Sequence, residues 1–176
     1  AVARLKDTYD HEVIPPGVDS VYILGGQGNL WTEQIPTPYQ AEYMTYPRAF
    51  ALSESLWSPK YKKNWEAFVG KVEDHFVRFD HAGINYAPSM YDPIIKIKKS
   101  KDNETISIEL AAEIPGLAIH YTFDNTIPNK YSPAYEGKAL VVPAGADAFR
   151  VITLRDGKAL GRLISFTAED LRKRAK

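Results

Sequence analysis

Two residues near the start of the chain, Trp31 and Glu33, place an aromatic ring and a carboxylate one residue apart. A tryptophan ring can stack on the apolar face of a sugar, and a carboxylate accepts hydrogen bonds from sugar hydroxyls. The pair is therefore a candidate carbohydrate contact. The alternative is structural: Trp31 packs in a core and Glu33 caps the following helix. Spacing alone favours the structural alternative.

The segment that precedes this pair predicts how it is positioned. Residues 21–24 form a short apolar run that includes β-branched side chains, which indicates a buried strand. Three glycines follow, at positions 25, 26 and 28, where the backbone is expected to pass close to other groups. The sequence thus predicts that Trp31 and Glu33 lie at the end of a strand.

A helix is predicted directly after the pair. Thr37 and Gln40 fit a capping box, and Pro38 occupies the first helical position, where its missing N–H is not needed. Pro47 lies inside the helical pattern and predicts a kink. Glu54 falls on the apolar face of the same helix, so it is expected to need a partner from elsewhere in the fold.

A second helix is predicted between Asn64 and Gly83, with an apolar stripe that indicates core packing. The stripe consists of Trp65, Phe68, Val69, Val72, Phe76 and Phe79. His75 and His81 lie off the stripe and are expected at the surface.

From Pro93 onward the hydrophobic period changes to two, which predicts short strands. Asp156-Gly157 is a strong hairpin signal between the last two. The pattern predicts an antiparallel β-sandwich. The six expected strands contain Ile95 and Ile97, then Ile106 to Leu110, Ile119 to Phe123, Ala139 to Val142, Ala148 to Leu154, and Ala159 to Phe166.

Composition excludes several functional classes. Lys plus Arg equal Asp plus Glu, at 22 each, so no charge excess predicts binding to nucleic acid or to an anionic membrane. The absence of cysteine excludes disulfides and thiolate metal sites. His11 and Glu12 have no partner at metal-ligand spacing and are expected in a solvated loop, so no metal and no cofactor are predicted. No apolar run is long enough to span a bilayer and no signal peptide is visible; because the chain does not begin with Met, we expect a longer protein.

Two long motifs resemble a known enzyme family. Residues 25–33 read G-x-Q-x-x-x-W-T-E, and residues 46–58 contain P-R followed by A-x-x-E-x-x-W-S. Both resemble the last strand and helix of the catalytic barrel in family 20 glycoside hydrolases, the β-N-acetylhexosaminidases. Residues 121–137 resemble the signature of the small β-sandwich domain that follows this barrel in chitobiase-like members, with Asn125 in place of a glycine. Asn tolerates the left-handed conformation expected at that turn.

This resemblance implies an α+β organisation in two parts. Residues 1–91 are expected to form the terminal β/α segment of a (β/α)8 barrel, a TIM barrel fragment. Residues 92–176 are expected to form a small antiparallel β-sandwich like an immunoglobulin or fibronectin III domain. A complete barrel needs eight strands and roughly 250 residues, so most of it lies outside this chain.

The resemblance also implies an activity for the parent protein. Family members remove terminal, non-reducing N-acetylhexosamine residues with retention, using the acetamido oxygen of the substrate as the nucleophile. Trp31 matches the tryptophan that walls the pocket for the terminal sugar, and Glu33 matches the carboxylate that binds its hydroxyls. The catalytic Asp-Glu pair of the family has no counterpart here, because no Asp-Glu dipeptide occurs in the chain. We therefore expect no catalytic residue in this chain and no hydrolysis by it alone.

The implied ligands are glycans that end in N-acetylglucosamine or N-acetylgalactosamine, and the implied location is the periplasm or the cell exterior. A lone barrel strand has unpaired edges, so the first part is expected to lack order, to be cleaved, or to self-associate. Two alternatives of other classes remain: a carbohydrate-binding sandwich without catalysis, and a purely structural module. Tyr121 is expected in the core, whereas Tyr131 and Tyr135 are open candidates for sugar contact.

Overall fold

The computed structural model describes residues 4–99 and 105–175. The chain divides into two compact units, Ala1–Ala87 and Pro88–Lys176. The first unit is helical and the second is built on antiparallel strands, so the α+β class predicted from the sequence is confirmed at this level.

The described residues of the first unit form four α-helices: α1 (Leu5–Tyr9), α2 (Pro38–Thr45), α3 (Arg48–Trp57) and α4 (Trp65–Ala82). Short 3-10 helices occur at Ser20–Tyr22 and Lys60–Lys62. Thr37 caps α2 by accepting a hydrogen bond from Gln40 N, one half of the predicted capping box, and the Asn64 side chain caps α4 by accepting one from Ala67 N. Gly83 ends α4 with a left-handed φ of 68°.

The apolar stripe of α4 forms the core of the first unit, as predicted. Its buried residues are Phe68, Val69, Val72 and Phe76. Tyr9 of α1 packs on this helix, with its ring centroid 4.8 Å from that of Phe68 and 5.0 Å from that of Trp65. Ser55 of α3 donates a hydrogen bond to Tyr9 O at 2.9 Å and so ties α1 to α3.

The strand predicted at residues 21–24 is wrong. Residues 20–22 form a 3-10 turn, Ile23 has an extended backbone, and the chain from Leu24 to Trp31 belongs to no helix or sheet. Val21, Tyr22 and Leu24 are exposed rather than buried. A strand is stabilised by hydrogen bonds to a neighbouring strand, and the described part of this unit contains no other strand to supply them.

The single kinked helix predicted after Thr37 is instead two helices, separated at Tyr46-Pro47 by a cis peptide bond. The single apolar face predicted along this helix is therefore wrong at its C-terminal end, where Trp57 is 85% exposed. The surface position predicted for His75 is also wrong. Its ring is half-buried and stacks on Phe50 at 4.6 Å between centroids.

Two antiparallel sheets form the second unit. One has the order β1-β2-β4, and in the other β5 pairs with β3, β6 and β7. A C-terminal helix, α5 (Ala168–Arg174), follows the last strand. The strands are β1 (Ile94–Lys99), β2 (Ile106–Ala111), β3 (Ala118–Thr122), β4 (Leu140–Val141), β5 (Ala148–Arg155), β6 (Lys158–Ala159) and β7 (Ile164–Thr167).

Both sheets contribute to one apolar cluster, which α5 completes. Its buried members are Ile108, Leu110, Ile119, Phe149, Val151 and Leu171. Tyr121 packs against this cluster, as predicted, and Tyr135 does so too. Tyr131 is exposed, with Lys130 Nζ 4.9 Å from its ring centroid.

The hairpin predicted at Asp156-Gly157 is confirmed: the two residues have φ of 51° and 75° and join Arg155 to its partner Lys158. The strand predicted from Ala159 to Phe166 is interrupted. A Cβ at Gly161 would lie 2.6 Å from Tyr91 O, so the chain there passes directly beside the first residues of the unit. Among the described residues, the non-glycine position with a positive φ is Asp156. Asn125 therefore does not adopt the predicted left-handed conformation.

The start of the second unit is fixed by polar contacts to this same region. The Arg162 guanidinium donates to Asp92 Oδ2 from Nε at 2.8 Å, and Arg162 N donates to Asp92 Oδ1 at 2.8 Å. Thr153 Oγ1 donates to Tyr91 O. Asp92 is buried, and its charge is therefore paired, as a buried carboxylate requires. The change from the first unit to the second falls a few residues before the boundary predicted at 91.

Candidate functional site

Trp31 and Glu33 lie on the exposed surface of the first unit. The Trp31 side chain is 73% exposed, and Glu33 is exposed as well. The helix that follows is capped by Thr37 rather than by Glu33. Neither element of the structural alternative is therefore present: the tryptophan does not pack in a core and the carboxylate does not cap α2. Both side chains are available to a ligand.

The extended segment before this pair rests on α3. A Cβ at Gly28 would lie 2.9 Å from Leu52 Cδ2, and a Cβ at Gly26 would lie 3.0 Å from Leu56 Cδ2. Real Cβ atoms do not approach other carbon atoms this closely, because interiors are already packed at van der Waals distances. The predicted close approach of the glycine backbone is thus present, against two leucines that sequence reasoning did not single out.

Along residues 24–31 the backbone makes no backbone hydrogen bond to any other described residue. The first such bond after it is Ile35 N to Thr32 O at 3.0 Å, a turn that directs the chain toward α2. An extended segment without pairing exposes donors and acceptors on both of its edges. Packing of side chains, not sheet pairing, therefore determines its position in this unit.

A cleft of about 700 Å³ lies on one side of the segment, with Leu24 and Gly25 in its wall. Two ion pairs lie in its wall. Lys6 Nζ donates to Asp10 at 2.8 Å and Lys60 Nζ donates to Glu12. The hydrogen bond from Lys60 lowers the pKa of Glu12, so this exposed carboxylate is a structural partner and not an acid that would be protonated near neutral pH.

The second cleft, of about 480 Å³, lies between the segment and α3. Gln27, Asn29 and Arg48 contribute polar groups to its wall. The Arg48 guanidinium is engaged, because its Nε donates to Met44 O at 3.1 Å and Nη2 donates to Tyr43 O at 3.3 Å. Arg48 thereby satisfies the last carbonyl groups of α2, a role that its place in the motif did not reveal.

Tyr9 is the most buried titratable side chain beside these clefts, with 3% of its surface exposed. Its hydroxyl has no hydrogen-bond partner among the described residues. Burial raises the pKa of Tyr9, and the negative charges of Glu54 and Asp10 raise it further. The hydroxyl therefore stays protonated and cannot act as a base at neutral pH.

Within residues 4–99 and 105–175, no group of three His, Asp or Glu side chains is arranged to hold a metal ion. In the same residues, no helix has the length and apolar character needed to cross a bilayer.

Comparison with known proteins gives the same order of parts as the motifs. Residues 2–60 match the family model of the glycosyl hydrolase family 20 catalytic domain. Residues 108–168 match the model described as Fn3 associated. The first match contains Trp31 and Glu33 and extends through α3; the second contains strands β3 to β7.

Curated relatives extend over both parts. A β-hexosaminidase of Porphyromonas gingivalis is 29% identical over 155 residues, which cover 86% of this chain and 20% of that protein. A β-N-acetylhexosaminidase of Cellulomonas fimi is 30% identical over 88 residues, 49% of this chain and 18% of the relative. A β-hexosaminidase of Vibrio vulnificus is 27% identical over 157 residues, 67% of this chain and 17% of the relative.

The chain thus spans at most about a fifth of the length of these relatives. It covers only part of the catalytic domain, in agreement with the missing Asp-Glu pair. The resemblance read from residues 25–33 and 46–58 is confirmed: residues 2–60 are similar to the glycosyl hydrolase family 20 catalytic domain, and the relatives that match this chain include proteins named β-hexosaminidase.

Proposed function

We propose that the chain is the C-terminal part of a β-N-acetylhexosaminidase, and that Trp31 and Glu33 bind the terminal sugar. The parent enzyme hydrolyses terminal, non-reducing N-acetylhexosamine residues, with the acetamido oxygen of the substrate as nucleophile. The observation that carries the proposal is the exposure of both side chains on a segment that matches the family 20 catalytic domain.

Each member of the pair has a distinct role in this proposal. The indole of Trp31 stacks on the apolar face of the sugar ring, where its large exposed surface becomes buried. The carboxylate of Glu33 accepts hydrogen bonds from sugar hydroxyls, and such bonds are stronger than those between neutral groups. Neither group transfers a proton. Catalysis requires the general acid and the acetamido-orienting carboxylate, which belong to the parent protein and not to this chain.

We further propose that the predicted parts, 1–91 and 92–176, are a barrel segment and a β-sandwich of the immunoglobulin or fibronectin III type. Support for the sandwich comes from the apolar cluster shared by two antiparallel sheets, and from the Fn3-associated match. Support for the barrel segment comes from the family 20 match and from the extended segment with two unpaired edges. Those edges are the places where neighbouring strands, from the parent protein or from another copy, would pair.

Sugar binding by the 176-residue chain tests the proposal directly. The chain is titrated with N-acetylglucosamine and with N-acetylgalactosamine while tryptophan fluorescence and heat are recorded. Trp31→Ala, which removes the stacking surface, and Glu33→Gln, which removes the charge from the hydrogen bonds, are each expected to weaken binding by roughly tenfold or more.

Two control variants make the test specific. Trp57→Phe alters another exposed tryptophan, and Glu66→Gln alters an exposed carboxylate at the first turn of α4. Both should leave the affinity unchanged. Equal loss of affinity in a control and its matched variant, or full affinity after Trp31→Ala, would contradict the proposed site. Binding that persists in both site variants but is lost on Tyr131→Ala would favour the alternative of a sugar-binding sandwich.

A further inference from the structure

The contact between the glycine segment and α3 has a regular spacing. Gly26 and Gly28 are two residues apart in the sequence, and two residues of an extended chain rise by about 6.7 Å. Leu56 and Leu52 are four residues apart on a helix, a rise of about 6 Å. The two repeats therefore match, and each glycine meets one leucine, at 3.0 and 2.9 Å from an added Cβ.

This match selects one register of the segment on the helix. A shift by one residue would place the side chains of Gln27 and Asn29 where the glycines now lie, against the leucine methyl groups. A Cβ atom there would lie 2.9–3.0 Å from a leucine methyl group, so these larger side chains would require the leucines to move. Val13 on the N-terminal arm closes the other side of Gly26, at 3.6 Å from an added Cβ. The segment is therefore held by steric fit, without sheet hydrogen bonds.

Register decides where the exposed pair emerges. Trp31 follows Gly28 by three residues, so a slip of the segment displaces the indole and the Glu33 carboxylate by the same step. A displacement of about 1 Å is enough to weaken an oriented contact severely. We propose that Gly26 with Leu56 and Gly28 with Leu52 are positioning residues, which fix Trp31 and Glu33 for the sugar. This inference rests on the proposed function for its ligand, but its geometric part does not.

A volume exchange across the contact tests the inference. The Leu52 methyl group could rotate away from a single added carbon atom. The test therefore uses Gly28→Val, which adds three carbon atoms. Gly28 does not have a left-handed φ, so steric fit to Leu52 is the main obstacle to a side chain. Leu52→Ala removes three carbons from the opposite side. Each single variant should displace the segment, and the double variant should restore it.

The position of the glycine segment is measured without a ligand, as the distance between two spin labels in electron paramagnetic resonance. Because the chain contains no cysteine, Thr32→Cys and Asp74→Cys give two spin labels at exposed sites, one after the segment and one on α4. The distance distribution should shift or broaden in each single variant and return to the wild-type profile in the Gly28→Val/Leu52→Ala protein. The pair Gly26→Val and Leu56→Ala should repeat the pattern.

Mismatched pairs provide the control. Gly28→Val with Leu56→Ala has the same composition change but does not relieve the contact, so it should not restore the distance distribution. Sugar titration of the same glycine and leucine variants, with Thr32 and Asp74 intact, should show about tenfold weaker binding wherever the distribution is altered, and recovery in the matched pairs only.

The outcomes separate the inference from the proposed function. A wild-type distribution in Gly28→Val, or equal rescue by either leucine substitution, overturns the positioning role. Glu33→Gln should lower sugar affinity without changing the distribution. If the distributions behave as expected but no variant alters sugar binding, the geometry stands and the assignment of Trp31 and Glu33 to the sugar is wrong. If the Gly28→Val protein does not fold, Leu52→Ala alone is measured instead. Leu52→Ala removes the leucine side of the contact, so the distance distribution should broaden.

Discussion

Arg48 illustrates how a residue of the family motif can act through the backbone. Its guanidinium donates to two carbonyl groups at the end of α2 and so joins that helix to α3, which carries the two leucines. Burial lowers the pKa of Arg48, but an arginine remains charged under all ordinary conditions. Its contribution is therefore constant with pH and consists of donors placed at a helix C-terminus.

Arg48→Met is expected to reduce the free energy of unfolding of the first unit by about 1–2 kcal/mol, because two carbonyl groups lose a charged donor. Arg48→Lys should recover part of this loss, since an ammonium can reach one carbonyl but not both in the same geometry. The measurement is urea unfolding followed by tryptophan fluorescence, as Trp31, Trp57 and Trp65 all lie in the first unit.

The matched control for Arg48 is Arg78→Met, which removes an exposed guanidinium from α4. It should change the unfolding midpoint little. An equal loss in the two variants would mean that helix capping by Arg48 does not contribute to stability.

Among the elements, the Asp156-Gly157 hairpin and the helix α4 offer two glycines with opposite expectations. Gly157 has a left-handed φ of 75°, and a Cβ there would lie 3.4 Å from Lys130 Cδ. Gly157→Ala should therefore destabilise the second unit by roughly 1 kcal/mol. Gly70 is helical with nothing within 4 Å, so Gly70→Ala should stabilise the first unit by about 0.5–1 kcal/mol. Circular dichroism follows the unfolding of Gly157→Ala, and tryptophan fluorescence follows that of Gly70→Ala. A stability change of the same sign in both variants would contradict the conformational argument.

The last helix, α5, carries a pH-dependent cap. Hydrogen bonds from the Thr167 hydroxyl, and then from its backbone N–H, lower the pKa of Asp170 below its ordinary value of 3.8. A lowered carboxyl pKa in the folded state means that the stabilisation is present above the unfolded pKa and is lost as the pH falls through the folded pKa. Asp170→Ala should thus lower the melting temperature at pH 7, and the difference from wild type should shrink toward pH 2–3.

Asp147→Ala serves as the control for this pH dependence, because Asp147 is exposed and lies in the loop before β5. It should leave the melting temperature nearly unchanged at both pH values. A pH-independent effect of Asp170→Ala would show that the hydrogen bonds at the cap do not depend on the carboxylate charge.

The elements predicted correctly are those encoded by adjacent residues. Thr37 and Asn64 cap their helices by bonding to an N–H three residues away, and Asp156-Gly157 makes its turn without help from elsewhere. The strand at 21–24 failed for the opposite reason, since a strand exists only where a partner strand supplies hydrogen bonds. The break at Gly161 was missed because the contact that requires it comes from Tyr91, seventy positions earlier.

The candidate site shows the same division between local and distant information. Residue types at 31 and 33 suggested sugar contact, and the family motif selected it over core packing. The packing contact that positions this pair was not predicted, because the glycine spacing alone does not indicate that Leu52 and Leu56 will contact the glycine segment. The signal was nonetheless present: a two-residue glycine spacing and a four-residue leucine spacing have nearly the same rise on their respective elements.

At the scale of the whole molecule, binding and catalysis are expected to separate. The 176-residue chain holds the proposed sugar contacts but no Asp-Glu dipeptide, and it matches only part of the catalytic domain. Without a general acid to protonate the leaving oxygen, and without a carboxylate to orient the acetamido group, the glycosidic bond is not activated. An aryl N-acetylglucosaminide should therefore be hydrolysed by this chain no faster than by buffer.

A protein that joins these residues to a barrel strand with an Asp-Glu pair is expected to be active. In that protein, Glu33→Gln should lower kcat/KM by roughly tenfold or more, because the hydrogen bonds it weakens are made to the sugar throughout the reaction. Glu66→Gln, in the first turn of α4, should leave kcat/KM unchanged. Turnover by the 176-residue chain itself would contradict this division of roles, since it would require an acid that the family mechanism does not place among these residues. A longer product that lacks activity, while the short chain still binds N-acetylhexosamines through Trp31 and Glu33, would show that the sugar contacts function without the hydrolytic step.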